Sequence, residues 1–566
     1  MDTTRRLPAV LLALALAATT AAASPSAVSA AAPAAQASPA TQATTVVVSA
    51  AVGGVEAAVQ AVRAVGGTVL HRLPLVDGVG ASLPAGTVLA PDLRVSANLP
   101  MSLSGGKDSG LAGEASAVRE ALGLGPADGQ GAGTTVAVVD TGVADVPDLS
   151  GRLRHLDVSG TWSPGEPRDG FGHGTFVAGA VAGDGSSSAG RYAGVAPGAD
   201  VLDVRVADDD GSTDLVTVLA GLEALSDPAL GVDVVNLSMS SGSPLPYQID
   251  PLSVALSRLW ASGITVVVPS GNEGPGTRSV TSPGSDPTLL TVGALDERFT
   301  ADRRDDVVPA FSGRGPAPQG VAKPDLVAPG QSLVSLRAPG SGADLEHPGS
   351  VVAGSYFRGS GTSFATALVS GAVALLREEH GAVRPDQAKA VLSRTAYAAK
   401  GLKDRRDAGA GGLDLTAALS AALPDVPDAA LDLPPAGDEQ AWEDFVAAVE
   451  AGARTAAAHS WSRISPAGHR WAANSWSANS WSANSWSGHR WAGADGAADV
   501  WQMRQWAGHR WAAHSWSGHR WAGHRWAGHR WAGHRWAGSR WADDTWAGSR
   551  WAGSRWAGSR WAGSWE

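Results

Sequence analysis

Five short runs rich in aliphatic and β-branched residues constrain the middle of this chain: 135–139, 201–206, 232–237, 264–268 and 289–292. They read as continuous rather than alternating, the pattern of strands buried on both faces. Between several of them lie stretches with apolar residues at helical spacing, such as 216–225 and 252–262. Strands interleaved with helices predict an α/β fold, a parallel β-sheet with helices packed on both faces. Helical runs over 364–376 and 385–395 close this unit, which ends near Ala422.

A smaller α/β unit precedes it. Residues 44–48, 69–73 and 79–83 are predicted strands, and 55–65 is a predicted helix stopped by Gly66-Gly67. Residues 100–110 are polar and rich in Gly and Ser, the composition of a connecting segment. At the N-terminus, Arg5 and Arg6 precede an apolar run over 7–18 and then small residues, the layout of a secretory signal. Cleavage is expected after Ala23 or Ala30. The expected organisation is therefore a signal over 1–30, a linker over 31–43 and a small α/β domain over 44–110. The main α/β domain follows over 111–422, then an acidic Pro-rich linker over 423–453 and a repeat tail over 454–566. No later stretch holds 18 unbroken apolar residues, so no transmembrane helix is expected after signal removal. The chain has no cysteine, which excludes disulfides and thiolate catalysis.

Three glycine-flanked groups carry chemistry. Asp140 ends the run Val138-Val139-Asp140-Thr141-Gly142, at the carboxyl end of a buried strand, where open α/β sheets place their sites. An Asp-Thr-Gly triplet also occurs in aspartic proteases, but those need a second copy far along the chain. The nearest candidate, Asp108-Ser109-Gly110, is only 32 residues away in the polar segment. His173 lies in Gly172-His173-Gly174-Thr175, where the glycines permit close backbone approach and the imidazole suits a general base. Ser363 lies in Gly361-Thr362-Ser363-Phe364-Ala365 at a predicted helix N-terminus, where the helix dipole favours negative charge on its oxygen.

Taken in the order Asp, His, Ser, these motifs resemble those of the subtilisin-like serine peptidases over about residues 115–420. The segments Tyr192-Ala193-Gly194-Val195-Ala196-Pro197, Val235-Asn236-Leu237-Ser238, Ser270-Gly271-Asn272-Glu273-Gly274 and Lys323-Pro324-Asp325-Leu326-Val327-Ala328-Pro329-Gly330 extend the resemblance. It implies a subtilisin-like fold and a serine endopeptidase acting through an acyl-enzyme. Ser363 would be nucleophile, His173 general base and Asp140 its orienting partner, with Asn272 an oxyanion donor. It further implies that Ser238, Met239 and Ser240 bind substrate as an extended edge, with Ser270 and Gly271 on the other pocket wall. Ser240 stands where the family usually has Gly, and Ala367 where it usually has Pro. Residues 44–100 resemble the family's inhibitory propeptide, which implies a self-processing zymogen cut near residues 100–125. The chemistry requires no cofactor and no metal; calcium binds many such enzymes, but no spacing here assigns a site. A lipase or esterase is excluded by motif order, which in that class runs Ser, Asp, His.

The tail is unlike anything else in the chain. Trp recurs every five residues from Trp461 to Trp561 with two gaps, and 20 of the 23 Trp lie here. A step of five spirals around a helix and alternates faces on a strand, so neither gives one apolar side. A repetitive coil or a segment without fixed structure remains. The tail carries 14 Arg and no Lys against 5 acids, or +9, so the rest of the chain holds −20 of the total −11. Trp with Arg suits an anionic surface, a cell-wall polymer above all for a secreted or cell-surface protein; nucleic acid is not expected. Nine tail His residues gain charge below about pH 6.5. Retention on anionic matrices should therefore be tighter at pH 5.5 than at pH 8, and equal retention would remove the idea.

Overall fold

The computed structural model describes residues 43–427 apart from 51–53, 86, 88, 90–92, 104–115, 126–128, 167 and 301, together with 525–526 and 529–530. The predicted signal, the acidic linker beyond residue 427 and almost all of the tail lie outside the described residues.

In the first part, β1 (Thr44–Ser49), α1 (Val55–Ala64), β2 (Thr68–Leu73), β3 (Gly78–Leu83) and β4 (Arg94–Ala97) form a sheet in the order β2-β3-β1-β4. All its pairs are antiparallel. The buried face of α1 (Ala58, Val59, Val62) packs on Val46, Val48 and Val79, the alternate residues of the sheet, while Val47 on its opposite face is buried in the main core. A fifth strand, β5 (Pro100–Leu103), leaves this sheet.

The second part begins with β6 (Ser116–Ala117) and is dominated by a seven-stranded parallel sheet. Along the chain come β7 (Thr135–Asp140), β8 (Leu153–Asp157), α2 (His173–Ala182), β9 (Asp200–Arg205), β10 (Thr213–Asp214), α3 (Leu215–Ala224), β11 (Val234–Leu237), β12 (Met239–Ser241), α4 (Pro251–Ala261), β13 (Thr265–Pro269), β14 (Leu290–Leu295), β15 (Leu326–Pro329) and β16 (Leu333–Leu336). Then follow α5 (Gly342–Glu346), β17 (Val351–Val352), β18 (Tyr356–Gly359), α6 (Thr362–His380) and α7 (Pro385–Thr395). The sheet order is β15-β14-β13-β11-β7-β9-β8, every neighbouring pair parallel. Strands β11 and β13 are buried along their whole length, as expected when helices cover the sheet. Helix α6 packs on β11, β13, β14 and β15 and against α2.

Local chemistry fixes the helix starts. Asp214 caps α3 by accepting from the Thr217 N–H at 2.9 Å, and Asp250 caps α4 by accepting from Leu252, with Pro251 at the first helical position. Two predicted runs hold buried amide or charged side chains: in β11 Asn236, bonded to the Ser238 and Ser370 hydroxyls, and in β9 Asp203 and Arg205. Each is matched by partners: Asp203 by His155 at 2.8 Å, and Arg205 by the Arg168 and Ala207 carbonyls and Asp209.

The two parts are joined by specific contacts. Helix α3 presents its first N–H groups to the small unit: Leu215 N donates to the Leu99 carbonyl at 2.8 Å and Val216 N to Asn98 Oδ1 at 3.0 Å. Further along α3, Glu223 accepts from Leu75 N at 2.7 Å, and burial pushes its carboxyl up. Arg258 on α4 reaches Asp77 at 2.6 Å and the Pro74 carbonyl at 3.0 Å. Above all, β5 lies between β10 and β12, antiparallel to both.

In the tail, Arg525 pairs with Arg530 and Trp526 with His529, antiparallel.

Candidate active site

The site assembles at the carboxyl ends of β7 and β11 and the N-terminus of α6. Asp140 is the last residue of β7, and His173 opens α2. The imidazole Nδ1 lies 2.7 Å from Asp140 Oδ1, which also accepts from the Thr141 N–H at 2.8 Å. Both residues are buried, and His173 stacks at 5.6 Å on Phe364. The flanking glycines are needed for this approach. A Cβ on Gly174 would lie 2.1 Å from the Gly142 carbonyl oxygen, and Gly172 has a left-handed φ of +104° with Ser341 Oγ 2.5 Å from where a Cβ would be.

Ser363 is the second residue of α6, in its first turn. Its hydroxyl donates to the Ser238 carbonyl at 3.1 Å, and the Ser238 hydroxyl donates back to the Ser363 carbonyl at 3.3 Å. The structure therefore joins Asp140 and His173 by a hydrogen bond but does not join Ser363 to His173. Among the described residues, His173 Nε2 and Asp140 Oδ2 are buried without a partner. Asn272 Oδ1 accepts from both Thr362 N at 3.0 Å and Thr362 Oγ1 at 2.9 Å. Its planar amide therefore turns the Nδ2 donors to the side away from Thr362.

The predicted substrate-binding residues form two walls tied together. Ser238 precedes β12, and Met239 and Ser240 lie on it, all three buried. Ser240 faces Ser102 across the ladder with β5. Ser270 and Gly271 follow β13; Gly271 has φ +92°, and a Cβ there would lie 2.5 Å from Thr281 Oγ1. Thr281 N donates to the Ser270 carbonyl at 3.2 Å and Ser241 N to the Ser282 carbonyl at 2.8 Å, so the segment 281–282 links the walls. Ala367 is buried in α6, whose hydrogen-bonded backbone runs past it unbroken.

Sequence reading missed Asp169. This buried carboxylate accepts from Thr141 Oγ1 (2.8 Å), Gly172 N (2.7 Å), Thr175 N (2.8 Å) and Thr175 Oγ1 (2.6 Å). Burial pushes its pKa up, against these donors. It locks the Asp140 turn to the start of α2, and so sets the distance between carboxylate and imidazole. The available signal was its place four residues before His173 in a Gly-rich stretch. Among the described residues no cluster of His, Asp and Glu is arranged to hold a metal ion, and no helix is long and apolar enough to cross a membrane.

Known proteins resemble this chain over its main α/β domain. The model of the subtilase family matches residues 131–414, half of the chain. Serine protease AprX of Bacillus subtilis (strain 168) is 41% identical over 271 residues, 46% of this chain and 61% of that protein. Subtilisin Savinase of Lederbergia lenta is 34% identical over 252 residues, 44% of this chain and 78% of that protein. The crystal structure of fervidolysin from Fervidobacterium pennivorans, a keratinolytic enzyme related to subtilisin, superposes with a TM-score of 0.53 at 25% identity, covering 68% of this chain and 62% of that one. The matched region thus spans less than two thirds of AprX and of fervidolysin. The family match takes in Asp140, His173, Ser363 and the whole seven-stranded sheet, and with half of its length fitting that model the chain belongs to the subtilase family.

Proposed function

We propose that the chain is a secreted, self-processing serine endopeptidase. The observation that carries the reading is the pair His173–Asp140 at 2.7 Å, with the second imidazole nitrogen unpartnered beside the helix start that bears Ser363. In the reaction the Ser363 hydroxyl leaves the Ser238 carbonyl and gives its proton to His173 Nε2 as its oxygen attacks the peptide carbonyl. Asp140 holds the imidazole in the tautomer with Nδ1 protonated and stabilises the imidazolium. The Asn272 Nδ2 donors and the Ser363 N–H take up the charge on the tetrahedral oxyanion. The imidazolium then protonates the leaving amine, and water repeats the sequence on the acyl-enzyme.

Residues 44–103 act as an inhibitory propeptide. Strand β5 adds to β12 as an extended substrate would, by β-augmentation, with Ser102 opposite Ser240 and Leu103 opposite Met239. Its chain direction leads to Ser363, so self-cleavage falls shortly after Leu103, inside the expected range of 100–125. The Trp-rich tail then anchors the mature enzyme to an anionic surface such as a cell-wall polymer, and tighter retention at pH 5.5 than at pH 8 is its test. Mass spectrometry of the secreted chain checks the processing. Wild type should lose the segment up to this region, and Ser363→Ala should keep it. Identical masses for the two would refute self-processing.

A further inference from the structure

A second histidine is held between two carboxylates, behind the turn that leaves Asp140. His155 Nδ1 lies 2.8 Å from Oδ2 of Asp203, its registered neighbour on β9, and its Nε2 lies 3.1 Å from Asp145 Oδ1. An ionised carboxylate only accepts, so both ring nitrogens donate only when the ring is an imidazolium. The two carboxylates differ in surroundings. Asp145 is exposed and also accepts from Arg168 Nε at 3.3 Å. Asp203 is 2% exposed, and its Oδ1 is buried without a hydrogen-bond partner among the described residues. Arg205, further along the same strand, is taken up by the Arg168 and Ala207 carbonyls and by Asp209. Compensation of the buried Asp203 charge therefore falls to His155.

The cluster is wired to the catalytic pair. Asp203 is registered with Val138, which precedes Asp140 by two residues on β7. Asp145 ends the segment that Asp140 begins. One side of that segment is fixed by Thr141 Oγ1 donating to Asp169 at 2.8 Å, and by Ala144 N donating to Thr175 Oγ1 at 2.9 Å. Its far end is held at Asp145 by His155 and Arg168. The charges that face the ring are Asp203, Asp145 and Arg168, and Asp203 in turn faces Asp169. On its own strand, Arg154 is bonded to the Leu230 carbonyl and Asp157 to Ser159.

Burial alone would lower the affinity of His155 for its proton. The hydrogen bonds and charge of the two carboxylates outweigh burial and Arg168, and raise its pKa above the ordinary 6.5. Burial pushes Asp203 up to about 6, with His155 and the Val143 N–H opposing and Asp169 adding to the rise. The sign follows: the stabilising contribution of His155 is complete below about pH 6.5 and is lost as pH rises through its folded pKa. A neutral ring keeps one N–H, so one carboxylate then faces a lone pair, and Asp203 is left charged beside Asp169.

We propose that His155 and Asp203 are positioning residues for Asp140: the imidazolium locks the turn that begins at Asp140, and loss of its proton loosens that turn and slows the reaction. The inference rests on the endopeptidase reading. Its test is kcat against pH for a peptide anilide on the processed full chain, beside an NMR titration of His155 in Ser363→Ala, its signal assigned by loss in His155→Gln.

Wild type should show an alkaline decline in kcat whose midpoint matches the His155 titration. His155→Gln should lower kcat at the wild-type optimum by about tenfold, the worth of one charge-assisted hydrogen bond, with KM little changed and the alkaline decline gone. Asp203→Asn should move the His155 titration and the kcat decline together to lower pH. Asp145→Asn, a change at an exposed site, should do the same to a smaller extent. A merely structural role would lower stability in these variants without moving the decline. A decline unmoved in all three variants, or a wild-type midpoint that differs from the His155 titration, overturns the proposal. No anilide turnover by wild type at any pH overturns the endopeptidase reading itself, and the inference falls with it.

Discussion

Met101 is the residue on which the docking of β5 most depends. It is only 2% exposed, although the strand that carries it belongs to neither large sheet. Met101 lies opposite Thr213 on one side and Ser241 on the other. Met101→Ala leaves both backbone ladders intact and removes most of one buried side chain. Full burial of a methionine side chain is worth about 1.5–3 kcal/mol, and 1.4 kcal/mol is a factor of ten, so the undocked state should be populated about 10–150-fold more. Amide hydrogen exchange in a Ser363→Ala background, which prevents cleavage, reads this directly. Amides of residues 101–103 and 239–241 that exchange by local opening should do so faster by that factor, while those of β11 and β13 should not change. Unchanged exchange at both strands would refute the view that Met101 holds the segment in the cleft.

Two further outcomes rest on the same geometry. Asn272→Ala should lower kcat by about 10²–10³ with little change in KM, the size of loss that removal of one oxyanion donor causes in this family. An equal rise in KM with kcat intact would show that Asn272 only positions Thr362. Lys323 is wholly buried against the Leu289 carbonyl (2.7 Å) and Asp325 (2.7 Å), and burial lowers its pKa to about 7. Between about pH 7 and its ordinary value of 10.5 the unfolded chain holds a proton that the folded chain has released, so this group makes folding more favourable as pH rises, by up to about 1.4 kcal/mol per pH unit. Urea unfolding of Ser363→Ala with and without Lys323→Met at pH 7 and pH 9 should show that gain only where Lys323 is present. Parallel pH dependences would contradict it.

Much of the fold was legible because its signals are local. Five of the seven strands of the parallel sheet, β7, β9, β11, β13 and β14, announce themselves as runs rich in aliphatic residues, and helices α3, α4, α6 and α7 as periodic stretches; β8, with Arg154, His155 and Asp157 among its five residues, and the four-residue β15 do not. Asp140 and His173 were legible for a related reason: they sit beside Gly142, Gly172 and Gly174, where a Cβ would clash, while Ser363 was marked by the order of the three motifs. Strand β5 was not. Its four residues begin with Pro100, adjoin a Gly- and Ser-rich stretch and read as a connection, because the two edges that complete it, β10 and β12, come from more than 100 residues away. Proline at the first position of a strand costs little, since its missing N–H need not pair. The pairing of Asp203 and Arg205 inside β9 was illegible in the same way: their partners His155, Arg168 and Asp209 are distributed over other segments.

The central claim is that His173, oriented by Asp140, activates Ser363. Labelling the processed chain with a fluorophosphonate probe and locating the adduct by peptide mass spectrometry tests it most directly. The account predicts an adduct on Ser363 in wild type, none in Ser363→Ala, and labelling slowed by orders of magnitude in His173→Ala, with Asp140→Asn also strongly slowed. An adduct on another residue, or equal labelling of wild type and Ser363→Ala, would contradict it.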